Sequence, residues 1–175
     1  MPASIWLQPS GEQQSKLRRL IAGLAAANST VPFAPHLTVC GAEGIDADAA
    51  ADYVRRCGLL PFRLRKAGIS CSTTKPFKAV VIEIENTPEL AAFRDTLRRM
   101  AGAPEFEPPH ISLLYTIDAQ RQPVGWGGDA NRLEAIAADC ASRVNETEFL
   151  LGDPVLVAPE GNWTNIESWR VLRKL

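Results

Sequence analysis

Two short stretches of the chain repeat one pattern. Residues 33–39 read FAPHLTV, and residues 106–113 read FEPPHISL. Each has a phenylalanine upstream, a proline directly before a histidine, and then an aliphatic, a hydroxyl-bearing and a second aliphatic residue. His36 and His110 are the only two histidines among the 175 residues. Because both histidines occupy the same local pattern, we expect them to serve a common purpose.

The pattern is typical of a strand that borders a cleft. Successive side chains of a strand alternate between its two faces. His36 therefore shares a face with Thr38, and His110 shares a face with Ser112, while the intervening aliphatic residues anchor each strand in the core. A duplicated unit related by a pseudo-twofold axis would set the two imidazole–hydroxyl pairs facing each other.

Such an arrangement suits the hydrolysis of a phosphodiester. In-line displacement needs a base that takes a proton from water and an acid that protonates the leaving oxygen, and histidine can do both near neutral pH. The hydroxyls of Thr38 and Ser112 can donate hydrogen bonds to the non-bridging oxygens, where negative charge concentrates. A strained five-membered cyclic phosphate needs no metal ion for this chemistry, so we expect no metal and no cofactor.

Composition limits the substrate. The chain is 46% hydrophobic and 22% charged with a net charge of −1, which predicts a single domain spanning residues 1–175 without a general attraction for long nucleic acid. We expect a monomer that acts on a small nucleotide, without an extended nucleic-acid or membrane partner. No secretory signal is evident, so the expected location is cytoplasmic, with nuclear and endomembrane-associated locations left open. The four cysteines are expected to be reduced, although a pair between Cys57 and Cys71 stays open.

Helical and strand periodicities alternate along the chain and predict an α+β fold. Ser10 and Gln13 form a capping-box pattern, and Asp46 and Thr87 read as caps of later helices. The predicted strands are residues 3–9, 34–41, 62–72, 77–85, 109–116, 148–158 and 163–173, and the predicted helices begin near residues 11, 47, 88 and 129.

The two motifs resemble the H-x-T/S-hydrophobic signatures of the 2H phosphoesterase superfamily. Residues 4–9 (SIWLQP) are similar to the first strand of the fungal and plant cyclic nucleotide phosphodiesterases, and residues 110–115 (HISLLY) place a tyrosine at that family's position. The resemblance covers essentially the whole chain. It implies a bilobal fold in which two pseudo-twofold-related, mainly antiparallel sheets line a central cleft, with helices outside.

The resemblance also implies an activity. It suggests hydrolysis of ADP-ribose 1″,2″-cyclic phosphate to the 1″-phosphate, and of nucleoside 2′,3′-cyclic phosphates to 2′-phosphates, beside tRNA splicing. By analogy, His110 is the base acting on water and His36 is the acid.

Further residues are candidates for substrate binding. Tyr115 lies at the family's position, but strict alternation from His110 turns it to the core, so it reaches the cleft if the strand bulges or ends near Leu114. Phe77 is expected to begin a strand and either stack on a base or pack in the core, and Trp6 is expected in the core or the cleft wall. A second phosphate of the substrate has five candidate cations: Arg63, Arg65, Lys66, Lys75 and Lys78.

Two other functions share these motifs. An RNA-end 2′,5′-phosphodiesterase or ligase-like enzyme would carry basic clusters along its cleft, which the net charge of −1 disfavours. A non-catalytic nucleotide-binding module would have no need of an intact histidine and hydroxyl in both motifs.

Overall fold

The computed structural model describes residues 2–104 and 107–175 and has the α+β architecture predicted from the sequence. Phe106, at the start of the second motif, lies outside the described residues. The elements in chain order are β1 (Pro2–Pro9), α1 (Gly11–Asn28), β2 (Leu37–Glu43), α2 (Ala47–Cys57), β3 (Phe62–Cys71), β4 (Val80–Ile84), α3 (Pro88–Met100), β5 (His110–Leu114), α4 (Ala130–Arg143), β6 (Glu148–Ala158) and β7 (Arg170–Lys174). No helix in this described part of the chain has the length and apolar character needed to cross a bilayer.

The strands join into one antiparallel sheet that closes on itself. Six strands follow the order β1-β2-β5-β4-β3-β6, β6 pairs back onto β1, and β7 adds to β6. The two sheets expected from the sequence are thus connected. The connection arises because Leu151 of β6 pairs with Pro9 of β1 on one side and with Phe62 of β3 on the other. A single residue pair joins β2 to β5.

The topology contains an internal repeat. Each half of the chain runs β-α-β-α-β, from β1 to β3 and from β4 to β6. Exchanging β1 with β4, β2 with β5 and β3 with β6 leaves the pairings among these six strands unchanged. This is the pseudo-twofold relation that the repeated motif predicted.

The helices cover the strands through apolar faces. Helix α1 lies against β1 and β5, α3 against β2, and α4 against β3 and β4. Helix α1 buries the stripe Leu17, Leu20, Ile21 and Leu24, which recurs at helical spacing. Burial of such stripes is the main favourable contribution to folding, at roughly 25 cal/mol per Å² of apolar surface.

The predicted caps hold at two of three helices. Asp46 accepts hydrogen bonds from the backbone N–H groups of Asp48 and Ala49, and Thr87 accepts one from Leu90. The capping box at Ser10 and Gln13 was wrong, because Ser10 makes no side-chain cap bond. Gln13 instead bonds β6, donating to the Glu148 carbonyl at 2.8 Å and accepting from the Leu150 N–H at 2.9 Å.

Three predicted strands begin later than expected. Strand β2 starts at Leu37 and not at residue 34, so His36 directly precedes the strand. Phe77 lies in a 3₁₀ turn, Pro76–Lys78, and β4 starts at Val80. The segment from Trp163 forms a loop with a second 3₁₀ turn, Ile166–Ser168, before β7 starts at Arg170. Short polar side chains in that loop bond to neighbouring backbone groups, which turns the chain away from extended geometry.

Candidate active site

The two histidines lie in the wall of one cavity of about 400 Å³. Strands β1, β2 and β5 supply most of this wall, and the 3₁₀ turn before β4 and the β6–β7 loop supply the rest. The sequence-predicted residues present are Trp6, His36, Thr38, Phe77, Lys78, His110, Ser112 and Tyr115, and they are joined by Ser4, Gly41, Trp163 and Trp169. The structure therefore brings together every residue of both motifs that was expected to face the cleft.

The motifs meet at their central residues. Leu37 of β2 pairs with Ile111 of β5, and both are fully buried. Because this pairing is antiparallel, each histidine lies on the side of the pair where the other motif carries its hydroxyl residue. A local twofold axis through the pair relates His36 to His110.

Both motifs also contain a bulge at the same position. Ile5 and Trp6 pair with Cys40 and Thr38, so Val39 is an extra residue in β2. Val80 and Val81 pair with Leu114 and Ser112, so Leu113 is the matching extra residue in β5. A bulge reverses the face of the sheet to which the following side chains point.

The bulge explains the position of Tyr115. Because Leu113 is bulged and β5 ends at Leu114, the Tyr115 side chain turns to the cavity and not to the side of Ile111. Its counterpart in the first motif is Gly41, which also borders the cavity. The two halves therefore carry a phenol at one corresponding position and a glycine, which has no side chain, at the other.

The imidazoles are held by equivalent backbone contacts. Nδ1 of His36 lies 2.7 Å from the Ala34 carbonyl, and Nδ1 of His110 lies 2.9 Å from the Pro108 carbonyl. Since a carbonyl can only accept, each Nδ1 carries a proton and donates it. In the neutral ring, Nε2 is then the nitrogen that exchanges protons with a ligand.

His36 is additionally fixed by stacking. Its ring lies on the Trp6 indole with centroids 3.6 Å apart and an interplanar angle of 9°. Trp6 Nε1 donates to Ser4 Oγ at 3.0 Å, and that hydroxyl donates to the Cys40 carbonyl at 2.9 Å. Trp6 is thus in the cleft wall, and it orients the first histidine.

Burial controls the protonation of both histidines. His36 is 6% exposed, and desolvation lowers its pKa from 6.5 to about 4, against the opposing hydrogen bond to Ala34 and together with the charge of His110. Desolvation also lowers the pKa of His110, where the nearby Lys78 and Glu107 act in opposite directions. Both rings are therefore neutral at pH 7 before an anion binds.

The two hydroxyl residues differ in their bonding. Thr38 makes no hydrogen bond through its side chain to another described residue, so its hydroxyl is available to a ligand. Ser112 Oγ donates to the Phe77 carbonyl at 3.0 Å and would have to exchange this bond to donate to a phosphate. Burial raises the pKa of Tyr115, against a hydrogen bond with Ser112, so the phenol stays protonated.

Among the five candidate cations, Lys78 is the one in the cavity wall. Lys75 and Lys78 both pair with Glu107, and the hydrogen bond from Lys78 is the main reason that the pKa of this carboxyl falls to about 2. Lys78 and His110 also border a neighbouring cavity that contains Lys75.

The remaining cations are engaged elsewhere. Arg63 and Arg65 lie near Glu148, and Lys66 donates to the Val144 carbonyl. The four cysteines are free, so the open Cys57–Cys71 pair does not form.

Sequence reasoning missed Trp163 and Trp169 as site residues because it placed them on a strand. The Trp169 ring contacts Trp6, His36 and Tyr115 edge-on, at centroid distances of 5.4 to 6.2 Å. The available signal was the closeness of two tryptophans in a stretch rich in Asn, Ser and Thr, which is typical of a loop that presents aromatic rings.

No protein-family model and no curated protein matches the sequence of this chain. Solved structures match its fold. E. coli LigT complexed with ATP aligns with a TM-score of 0.57 over 100% of this chain and 98% of LigT, at 15% identity. LigT complexed with phosphate gives 0.53 over 99% and 94%, at 15% identity. A structure described as a phosphoesterase gives 0.55 over 99% and 96%, at 14% identity. The chain therefore has the 2H phosphoesterase fold of E. coli LigT.

Proposed function

We propose that the chain is a 2H phosphoesterase that opens 2′,3′-cyclic phosphates without a metal ion, using His36 and His110 as its acid–base pair. One observation carries the proposal: the chain's two histidines lie in the wall of one cavity, about a local twofold axis, with both Nδ1 atoms bonded to backbone carbonyls. Each Nε2 is left to exchange a proton with a ligand.

The reaction follows from this pair. Water attacks phosphorus while His110 Nε2 takes one of its protons, and the bond from phosphorus to one ribose oxygen breaks. His36 Nε2 donates a proton to that leaving oxygen. Thr38 and Lys78 bind the non-bridging oxygens, and Ser112 joins them by exchanging its bond to Phe77. The product is a nucleoside monophosphate, with the 2′-phosphate as the expected isomer.

The proton on His36 arrives with the substrate. A pKa of about 4 leaves the ring neutral in the free protein, but a bound phosphate anion favours the charged form of both imidazoles. The Trp6 indole beneath His36 adds a cation–π attraction for the imidazolium, worth about 0.5–2 kcal/mol. The acid is therefore loaded when the anion enters the cavity.

The structural relatives support a nucleotide substrate. LigT structures contain ATP, phosphate and NADP⁺, so the shared fold accepts adenine nucleotides and free phosphate. Within this class we propose nucleoside 2′,3′-cyclic phosphates and ADP-ribose 1″,2″-cyclic phosphate as substrates of a monomeric enzyme of the cyclic nucleotide phosphodiesterase type, linked to tRNA splicing.

The test is hydrolysis in the presence of EDTA. Purified protein is incubated with 2′,3′-cyclic AMP, ADP-ribose 1″,2″-cyclic phosphate and a 2′,5′-linked dinucleotide, and products are separated by chromatography. We expect turnover of the two cyclic phosphates with release of 2′-AMP and the 1″-phosphate. Preferred cleavage of the 2′,5′-linkage would support the RNA-end enzyme instead, and tight binding without turnover would support a binding module.

Variants test the assigned pair. Each of His36→Ala and His110→Ala should lower kcat by roughly 10²–10⁴-fold, the usual contribution of a positioned acid or base. Leu59→Ala, at an exposed apolar side chain outside the cavity, serves as the control and should leave kcat unchanged. Undiminished turnover in either histidine variant would rule out the mechanism.

A further inference from the structure

The two sides of the local twofold axis differ in their surroundings. Strands β1 and β2 form the side that carries His36, and there Trp6 pairs with Thr38. Strands β4 and β5 form the side that carries His110, and there the corresponding partner of Ser112 is Val81. The His36 side thus carries an indole, extended by Trp169 and Trp163, whereas the charged group of Lys78, Glu107 and Lys75 lies on the His110 side. An asymmetric substrate would bind this site in one direction.

Trp163 is the outermost ring of the aromatic series. Trp169 has ring contacts with four neighbours, whereas Trp163 has one among the described residues, an edge contact to Trp169 at 5.6 Å. The Trp163 side chain is half-buried and borders the cavity. A large apolar ring kept partly exposed at a cavity is a typical stacking surface for the flat face of a nucleic-acid base.

The loop that carries Trp163 is held by its own hydrogen bonds. Trp169 Nε1 donates to the Trp163 carbonyl at 3.1 Å, and the Thr164 N–H donates to Asn162 Oδ1 at 3.0 Å. The ends of the loop are joined by the bond from the Glu160 N–H to Ser168 Oγ at 2.9 Å. A surface held in this way loses little conformational freedom when it binds a ligand.

We infer that Trp163 is the platform on which the base of a nucleoside cyclic phosphate stacks, and that it selects substrates whose base is unpaired and accessible. The inference rests on the proposed function. Because stacking depends on ring area and not on hydrogen-bonding edges, purines are favoured over pyrimidines without strict base selection. A base inside a duplex has both faces covered and is excluded.

The platform also sets the direction of the reaction. A base on the His36 side places the attached ribose, and therefore the leaving oxygen, nearer to His36. The attacking water then approaches from the His110 side, in line with the bond that breaks. The aromatic asymmetry thus gives a structural basis for His36 as the acid and His110 as the base.

The experiment compares a substrate with a base and one without. Kinetics of Trp163→Ala are measured with 2′,3′-cyclic AMP and with methyl ribofuranoside 2,3-cyclic phosphate, which lacks the base. We expect kcat/KM to fall by roughly 5- to 100-fold for the nucleotide, mainly through KM, with no change for the base-free compound. Trp163→Phe, which keeps an aromatic face, should retain most of the wild-type value.

Trp126→Ala is the matched control, because Trp126 lies under the Arg132 guanidinium at 4.0 Å and outside the cavity wall. This variant should leave kcat/KM unchanged for both substrates. An equal loss for both substrates in Trp163→Ala would show that Trp163 only supports Trp169 and would overturn the inference, as would no loss for either.

Binding separates this inference from the proposed function. Calorimetry with 2′-AMP and with methyl ribofuranoside 2-phosphate measures the contribution of the base without any turnover. A base-dependent Kd that Trp163→Ala abolishes supports the platform even if neither cyclic phosphate is hydrolysed. Equal affinity of wild-type protein for the two compounds would overturn the platform, even if both cyclic phosphates are hydrolysed.

Discussion

The imidazole of His36 lies flat on the indole of Trp6, 3.6 Å away and within 9° of parallel. This contact has two opposite effects on the protonation of His36. The indole excludes water from one face of the ring, which contributes to the burial that lowers the pKa to about 4. Once the ring is protonated, the same face attracts the charge. The balance between these effects changes when an anion enters the cavity.

The pH dependence of catalysis should reflect this change. Both imidazoles have lowered pKa values in the free protein, so kcat/KM for 2′,3′-cyclic AMP should follow a bell-shaped curve with its maximum below pH 6.5. The kcat profile reports the complex, and the bound anion should shift its maximum to higher pH. Initial rates across pH 4–9 measure both. Coincident profiles, or a kcat/KM that rises steadily to pH 9, would contradict the paired roles.

Stability should depend on the burial of neutral His36. Its pKa is about 4 in the folded protein and near 6.5 when unfolded, so between these values the unfolded chain binds more protons. This contribution to the free energy of unfolding, about 3 kcal/mol, is fully present above pH 6.5 and is lost as the pH falls to 4. Urea unfolding of wild-type protein and His36→Gln should give curves that converge toward acid pH. Parallel curves would show that the ring is not buried in its neutral form.

The two hydroxyl residues should respond differently to substitution. Thr38→Val keeps the side-chain shape and removes a phosphate donor, so we expect kcat to fall by roughly 10²-fold with unchanged stability. Ser112→Ala breaks the bond to the Phe77 carbonyl and should also lower the free energy of unfolding by about 1 kcal/mol. Kinetics and chemical denaturation of both variants test the difference. A stability loss confined to Thr38→Val would reverse the assignment.

Lys78 and Lys75 provide a matched pair. Both contact Glu107, but the Lys78 side chain is 21% exposed and borders the cavity, whereas that of Lys75 is 51% exposed. Lys78→Gln should raise KM by roughly 10-fold through loss of a charge-assisted phosphate contact. It should also raise the pKa of His110, which the Lys78 charge lowers. Lys75→Gln is the control, and equal KM values for the two variants would remove Lys78 from the site.

Most of the site could be predicted because both motifs follow strand geometry. Alternation placed His36 with Thr38 and His110 with Ser112, and the cavity contains all four. Alternation alone could not predict on which face of the strand the Tyr115 side chain lies, because this depends on the bulge at Leu113. A bulge depends on how two distant strands pair, which a local pattern does not specify.

Other errors have similar causes. Gln13 follows Ser10 at the spacing of a capping box, yet it bonds the start of β6, 135 residues further along the chain. Tryptophan is a residue type that is frequent in strands, so Trp163 was predicted on one. The neighbouring Asn162 side chain, however, accepts a hydrogen bond from the backbone of Thr164 and turns the chain. In both cases a side chain found a hydrogen-bond partner that the periodicity of apolar residues does not reveal.

Strand β6 has a consequence for how substrate enters. It belongs to the second half of the chain, and its backbone is hydrogen-bonded to β1 on one side and to β3 on the other, both in the first half. A hinge opening between the halves would break this ladder, at a cost of several backbone hydrogen bonds. Nucleotide and product should therefore exchange by diffusion through the open mouth of the cavity, without separation of the two halves.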